Sequence, residues 1–118
     1  FDAIIAGDVE NGGDITTSGG NTDGPGFIGG IGGPIFIGND PINTNAIAGV
    51  VTGTNSGDLT STGGDATDPF AGTGGVGGNI DLFDGSGPPP TFSNTGTLDS
   101  SGGTGTTIFG AAGAIAID

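Results

Sequence analysis

The sequence predicts an all-β fold in which three copies of one unit stack as a parallel β-helix, or solenoid. Three observations predict it. A ten-residue segment recurs three times, at spacings of 44 and 39 residues. Glycine supplies 30 of 118 residues and leaves no 12-residue window free of it, which argues against helix, because an interior Gly costs about 1 kcal/mol relative to Ala. Short apolar segments bounded by Gly, Asn and Asp recur at matching places, the mark of short strands between turns.

Taken in chain order, residues 1–10 complete a repeat, since Ala3–Asn11 falls in the place of Ile47–Asn55. The first unit, residues 11–54, opens on Asn11-Gly-Gly-Asp-Ile-Thr-Thr-Ser-Gly-Gly20. The second, residues 55–93, opens on Asn55-Ser-Gly-Asp-Leu-Thr-Ser-Thr-Gly-Gly64, and the third, residues 94–118, on Asn94-Thr-Gly-Thr-Leu-Asp-Ser-Ser-Gly-Gly103. In Asp14-Ile15-Thr16, Asp58-Leu59-Thr60 and Thr97-Leu98-Asp99 one apolar side chain is expected inward and two polar ones outward. The Gly-Gly that follows is expected to take positive φ at a corner, and glycines near the later strand are expected to let neighbouring backbones approach closely. Each unit then passes a Phe (Phe27, Phe70, Phe109) and a Gly-rich stretch, and closes on Ile35-Phe-Ile37, Ile80-Asp-Leu82 or Ile115-Ala-Ile117. Pro88-Pro89-Pro90 reads as a rigid spacer.

A unit so poor in apolar residues cannot bury its own face, so copies must stack. Stacking predicts an Asn ladder at Asn11, Asn55 and Asn94, and an inner aliphatic ladder at Ile15, Leu59 and Leu98. With 31% hydrophobic residues the core is thin or strung out along an elongated shape. The whole chain, 1–118, reads as one domain of about three repeats. The alternative fold is a pilin-like β-sandwich completed by a donated N-terminal strand, Ala3–Ala6.

The Asn-x-Gly-Asp/Thr-Ile/Leu opening, the Ser/Thr-Gly-Gly corner and the Ile-x-Ile/Leu close resemble the glycine-rich repeats of large bacterial surface proteins. These are the filamentous-haemagglutinin-like adhesins and related β-helical cell-surface proteins. The resemblance implies a right-handed parallel β-helix on the outside of a bacterium.

Composition excludes more than it selects. There is no Lys, Arg, His, Cys, Met, Trp or Tyr, and 13 acids give a formal charge of -13. The usual general bases and strong nucleophiles are therefore missing, and an enzyme is not expected. Paired carboxylates such as Asp81/Asp84 could in principle hydrolyse sugars, but no aromatic platform accompanies them. Without bases the chain cannot neutralise phosphate, so nucleic acid is not a partner. No apolar run reaches the ~20 residues of a spanning helix, so membrane insertion is not expected either. The lack of an initiator Met and of a leader suggests processing or excision, and the lack of trypsin sites suits a durable extracellular material.

The expected partner is a second copy of the chain. Phe1, Ala3, Ile4 and Ile5 at one end, and Ala114, Ile115 and Ile117 at the other, look like uncapped strand material. Uncapped solenoid ends favour a head-to-tail contact that grows into a fibre. The expected function is thus a structural subunit of an extracellular filament. The alternatives are an adhesin or Ca²⁺-dependent binding module from a longer surface protein and, through the hydroxyl runs Thr16-Thr17, Thr60-Ser61-Thr62 and Thr106-Thr107, an ice-binding surface. No cofactor is required. Ca²⁺ is the one ion the acids would suit, with Asp14, Asp58, Asp23, Asp65 and Asp68 as ligands, although Asp is also a common turn former.

Overall fold

The computed structural model describes residues 2–3, 8–37, 52–82 and 91–117, and all that follows concerns these. They form ten strands and no helix: β1 (Asp2–Ala3), β2 (Asp8–Asn11), β3 (Ile15–Ser18), β4 (Ile35–Ile37), β5 (Thr52–Asn55), β6 (Leu59–Thr62), β7 (Ile80–Leu82), β8 (Thr91–Asn94), β9 (Leu98–Asp99) and β10 (Ile115–Ile117). Sheet one runs β1-β4-β7-β10, sheet two β2-β5-β8 and sheet three β3-β6-β9. Every pairing between these strands is parallel. The chain is a parallel β-solenoid, and the antiparallel sandwich is not the fold it takes. Ala3, the expected start of a donated strand, pairs instead with Ile37 of its own chain.

The rungs follow the repeat without slippage. Asn11, Asn55 and Asn94 lie in one register, as do Ile15, Leu59 and Leu98. Sheet one aligns Ile35 with Ile80 and Ile115, and Ile37 with Leu82 and Ile117. Ile35, Ile37, Leu59, Ile80 and Leu82 are fully buried and meet in one core, with Ile15, Phe92 and Leu98 packed against it. Five such side chains, each worth roughly 1.5–3 kcal/mol when buried, make a small core, so backbone packing must carry much of the stability.

The molecule is a plate and not a rod. Its extents are 53 × 26 × 17 Å. Strands stack about 4.8 Å apart, so three rungs account for the shortest of these and the long axis lies within the plane of a rung. The elongated shape expected from composition is present, but its length runs across the stack.

Beyond sheet three each rung leaves the β-lined limb, runs out to a tip and returns to sheet one. The outgoing and returning runs lie against each other as a slab of nearly pure backbone. Ser18-Gly-Gly-Asn21, Thr62-Gly-Gly-Asp65 and Ser101-Gly-Gly-Thr104 go out. Ile28-Gly-Gly-Ile-Gly-Gly-Pro34 and Thr73-Gly-Gly-Val-Gly-Gly-Asn79 come back. In the returning runs the exposed positions fall three apart: Ile28, Ile31 and Pro34 in the first rung, Val76 and Asn79 in the second. That is the three-residue period of polyproline II, not the two-residue period of a strand.

The corner glycines serve a purpose other than the positive φ expected of them, whereas those nearer the later strand allow the close backbone approach that the sequence suggests. Positive φ occurs at Gly26 (φ 74) in the tip, and no other described glycine shows it. The paired glycines are needed because a Cβ has no room. One on Gly64 would stand 2.1 Å from Gly20 O, and one on Gly75 2.0 Å from Gly30 O. The close approach lets a single zigzag of bonds cross the slab. Gly30 N donates to Gly20 O, Gly64 N to Gly30 O, Gly75 N to Gly64 O, Gly103 N to Gly75 O and Gly110 N to Gly103 O, all at 2.8–2.9 Å. Intervening residues bond from rung to rung instead, as Gly19 N does to Thr62 O and Gly74 N to Ile108 O. Buried backbone groups are thereby paired without any strand being formed.

Candidate functional site

Three kinds of surface arise from this architecture: polar ladders along the stack, the two faces of the slab, and the ends of the stack.

The Asn ladder lies where sheet two turns into sheet three. Asn11 Nδ2 donates to Asn55 Oδ1 at 2.7 Å, and Asn55 Nδ2 donates to Asn94 Oδ1 at 2.6 Å. Each amide also donates to the carbonyl two residues on, at Gly13, Gly57 and Gly96. The spacing does this: Asn at the strand end reaches both its own turn and the Asn above it. Asn55 is fully buried.

Outside the corners a second set of side chains ties rung to rung. Asp58 N donates to Asp14 Oδ1, and Thr97 N to Asp58 Oδ1. On the outgoing run Asp65 N donates to Asn21 Oδ1, and Thr104 N to Asp65 Oδ1 at 2.7 Å. Asp68 is buried in the tip, and its Oδ1 accepts from both Phe70 N and Ala71 N. Asp23 is exposed. Of the five acids named as Ca²⁺ ligands, Asp14 and Asp58 stack in adjacent rungs, Asp65 lies on the outgoing run and Asp68 in the tip, and among the described residues no three of His, Cys, Asp and Glu gather as a metal site. Asp14, Asp58, Asp65 and Asp68 each give an oxygen to backbone N–H groups.

The bonds from the Thr104 backbone N–H and then from its side chain hold the Asp65 carboxyl below the ordinary Asp value of 3.8. A depressed folded value adds stability above the unfolded pKa, which is lost as pH falls through the folded one. A carbon-detected NMR titration should therefore place the Asp65 midpoint below 3.8; a midpoint at or above it would contradict the Thr104 contacts.

The hydroxyl runs do not form one outward array. Thr17, Ser61 and Ser100 point inward where the apolar core gives way to the slab. Thr17 Oγ1 and Ser61 Oγ donate to Gly33 O, and Ser100 Oγ donates to Gly78 O. Ser61 is fully buried. Thr16 and Thr60 face out, in a row that Asp99 completes. Thr106 Oγ1 donates to Asp68 O in the tip. The slab itself has two unlike faces. The outgoing runs present Ser18, Thr62, Ser101, Asn21, Asp65 and Thr104, whereas the returning runs expose Ile28 (68%), Ile31 (72%) and Ile108 (57%). Sequence reading missed this division. Its signal was the spacing of glycine pairs at 29–30, 32–33, 74–75 and 77–78.

At the ends of the stack, Phe1, Ile4 and Ile5 lie outside the described residues, and of Ala3 only the backbone is described. At the other end Ala114 N donates to Asn79 Oδ1. Ile115 is 45% exposed and Ile117 49%, although Ile80 and Leu82, one rung below, are 1% and 0%. No family model, curated protein or solved structure matches the chain.

Proposed function

We propose that this chain is a structural subunit of an extracellular fibre, adding copies end to end by pairing β10 of one with β1 of the next. One observation carries the reading. The inner ladder of sheet one is sealed at Ile35, Ile37, Ile80 and Leu82 but stands uncovered at Ile115 and Ile117, on a strand whose outer edge is a row of backbone groups. An exposed, flat, apolar edge strand is a template for another strand. A copy set there buries both isoleucines, at roughly 1.5–3 kcal/mol for each side chain taken fully out of water. The resemblance to repetitive bacterial surface proteins supports the extracellular setting, as does a composition without trypsin sites. The role is structural and not catalytic, and it requires no cofactor.

Assembly must overcome charge. Each copy brings -13 with no base to offset it. Screening shortens from about 10 Å in 0.1 M salt to about 3 Å in 1 M. Sedimentation velocity of the full chain should therefore show larger species at 0.5 M NaCl than at 0.02 M. The same response to CaCl₂ and to a matched ionic strength of NaCl marks screening, whereas assembly that needs Ca²⁺ and ignores NaCl would favour the Ca²⁺-dependent module instead.

A further inference from the structure

We propose that Phe109 and Ala112 close the slab at its C-terminal face, so that a second copy of the chain joins over sheet one alone. The partner rests on the assembly reading above; the closure rests on the slab's own geometry.

In the returning runs one class of glycine points up the stack. A Cβ on Gly29 would stand 1.9 Å from Gly64 O, and one on Gly74 2.0 Å from Gly103 O. One on Gly32 would stand 2.7 Å from Thr62 O, and one on Gly77 2.6 Å from Ser101 O. In every case the obstacle is backbone of the rung above, which has little freedom to yield. The bonds from Gly74 N to Ile108 O and from Gly77 N to Ala111 O fix the register with the third rung. They put Phe109 and Ala112 at those two positions. Phe109 is 74% exposed, and Ala112 is exposed too.

The other class of glycine points back down the stack. Gly75 and Gly110 meet Gly30 O and Gly75 O, respectively, at 2.0 and 1.8 Å. This class is glycine in all three rungs. In the returning run the third rung has therefore kept glycine where it meets a neighbour and replaced it where the next rung would lie; on the outgoing run Gly102 stays glycine because its Cβ would meet Gly110 O of its own rung. The acceptors that serve a following rung change there as well: Asp14 and Asp58 give way to Thr97, and Asn21 and Asp65 to Thr104.

Sheet one behaves differently. It keeps isoleucine at 115 and 117 and has four described strands where sheets two and three have three. A second copy that sets β1 on β10 therefore begins its own slab one strand spacing, about 4.8 Å, beyond the position of close stacking. That gap accommodates the Phe109 ring. The joint is one sheet wide.

The test compares wild type with Phe109→Gly/Ala112→Gly by sedimentation equilibrium in 0.5 M NaCl, with circular dichroism to show that each full chain is folded. Once glycine opens the slab, a copy whose β1 yields its place on β10 can also stack slab on slab, which should lower the concentration for half-association about tenfold, equivalent to about 1.4 kcal/mol. Phe109→Ser keeps the Cβ and should associate as wild type does; Ala112→Gly alone should shift the same way as the pair and perturbs the fold least. Wild type that assembles while the glycine variants do so no more readily overturns the closure and leaves the assembly reading standing. Monomeric wild type beside assembling variants upholds the closure and overturns the assembly reading. If neither associates, both fail.

Discussion

Replacing Gly64 with Ala is expected to destabilise the fold by about 3 kcal/mol or more, at the top of the usual range for overpacking. The same substitution at Gly20, its counterpart one rung earlier, is expected to cost little. The two residues share a place in the repeat and differ only in what lies beneath them. A Cβ on Gly64 would stand 2.1 Å from Gly20 O and 2.6 Å from the Gly20 carbonyl carbon, whereas one on Gly20 has nothing within 4 Å. Overpacking in an ordinary core is relieved by side chains that change rotamer. Here the obstacle is the Gly20 carbonyl, held in the bonds that cross the slab, and moving it breaks the bond from Gly30 N to Gly20 O. Urea unfolding of the two variants measures the difference through their midpoints. Equal midpoints would mean that the rungs are not stacked as closely as the structure places them.

Asn55→Asp is expected to make stability fall steeply as pH rises. Asn55 Nδ2 donates at 2.9 Å to Gly57 O and at 2.6 Å to Asn94 Oδ1, in a site closed to water. A carboxylate there would face two oxygens with no proton to give, so burial and repulsion raise its folded pKa above the unfolded value of about 3.9. The sign follows directly. A raised folded pKa leaves the variant most stable below about pH 4 and weakens it as pH climbs from the unfolded to the folded pKa. Asn55→Ala should cost about 3 kcal/mol with no new pH dependence, since it strands buried polar groups worth about 1–3 kcal/mol each. Thermal melts from pH 3 to pH 8 separate the two variants, and parallel melting profiles would count against the buried ladder.

Much of this was legible in the sequence. The spacings of 44 and 39 residues place Asn11, Asn55 and Asn94 in register, because a solenoid rung has no freedom to slip without turning Ile15, Leu59 and Leu98 out of the core. The glycines were harder to read. Glycine is chosen both for positive φ and for a missing Cβ, and only the neighbouring rung shows that the second need applies at a corner such as Gly64. The inward hydroxyls Thr17 and Ser61 were hidden for a related reason. A strand alternates, so the residue two beyond Ile15 also faces in, but a hydroxyl there makes sense only once the carbonyl of Gly33 is seen to need a donor. Phe109 looked like the counterpart of Phe27 and Phe70. The register of the returning run gives it a different place, at the position of Gly29 and Gly74.

Fibre formation by pairing of β10 with β1 is tested most directly by electron microscopy and fibre diffraction of the full chain, concentrated in 0.5 M NaCl. Strands stacked along the growth direction predict fibres whose diffraction shows a spacing of about 4.8 Å along the fibre axis. Isolated 11.0 kDa particles at every concentration, or fibres with that spacing across the axis, would contradict end-to-end assembly.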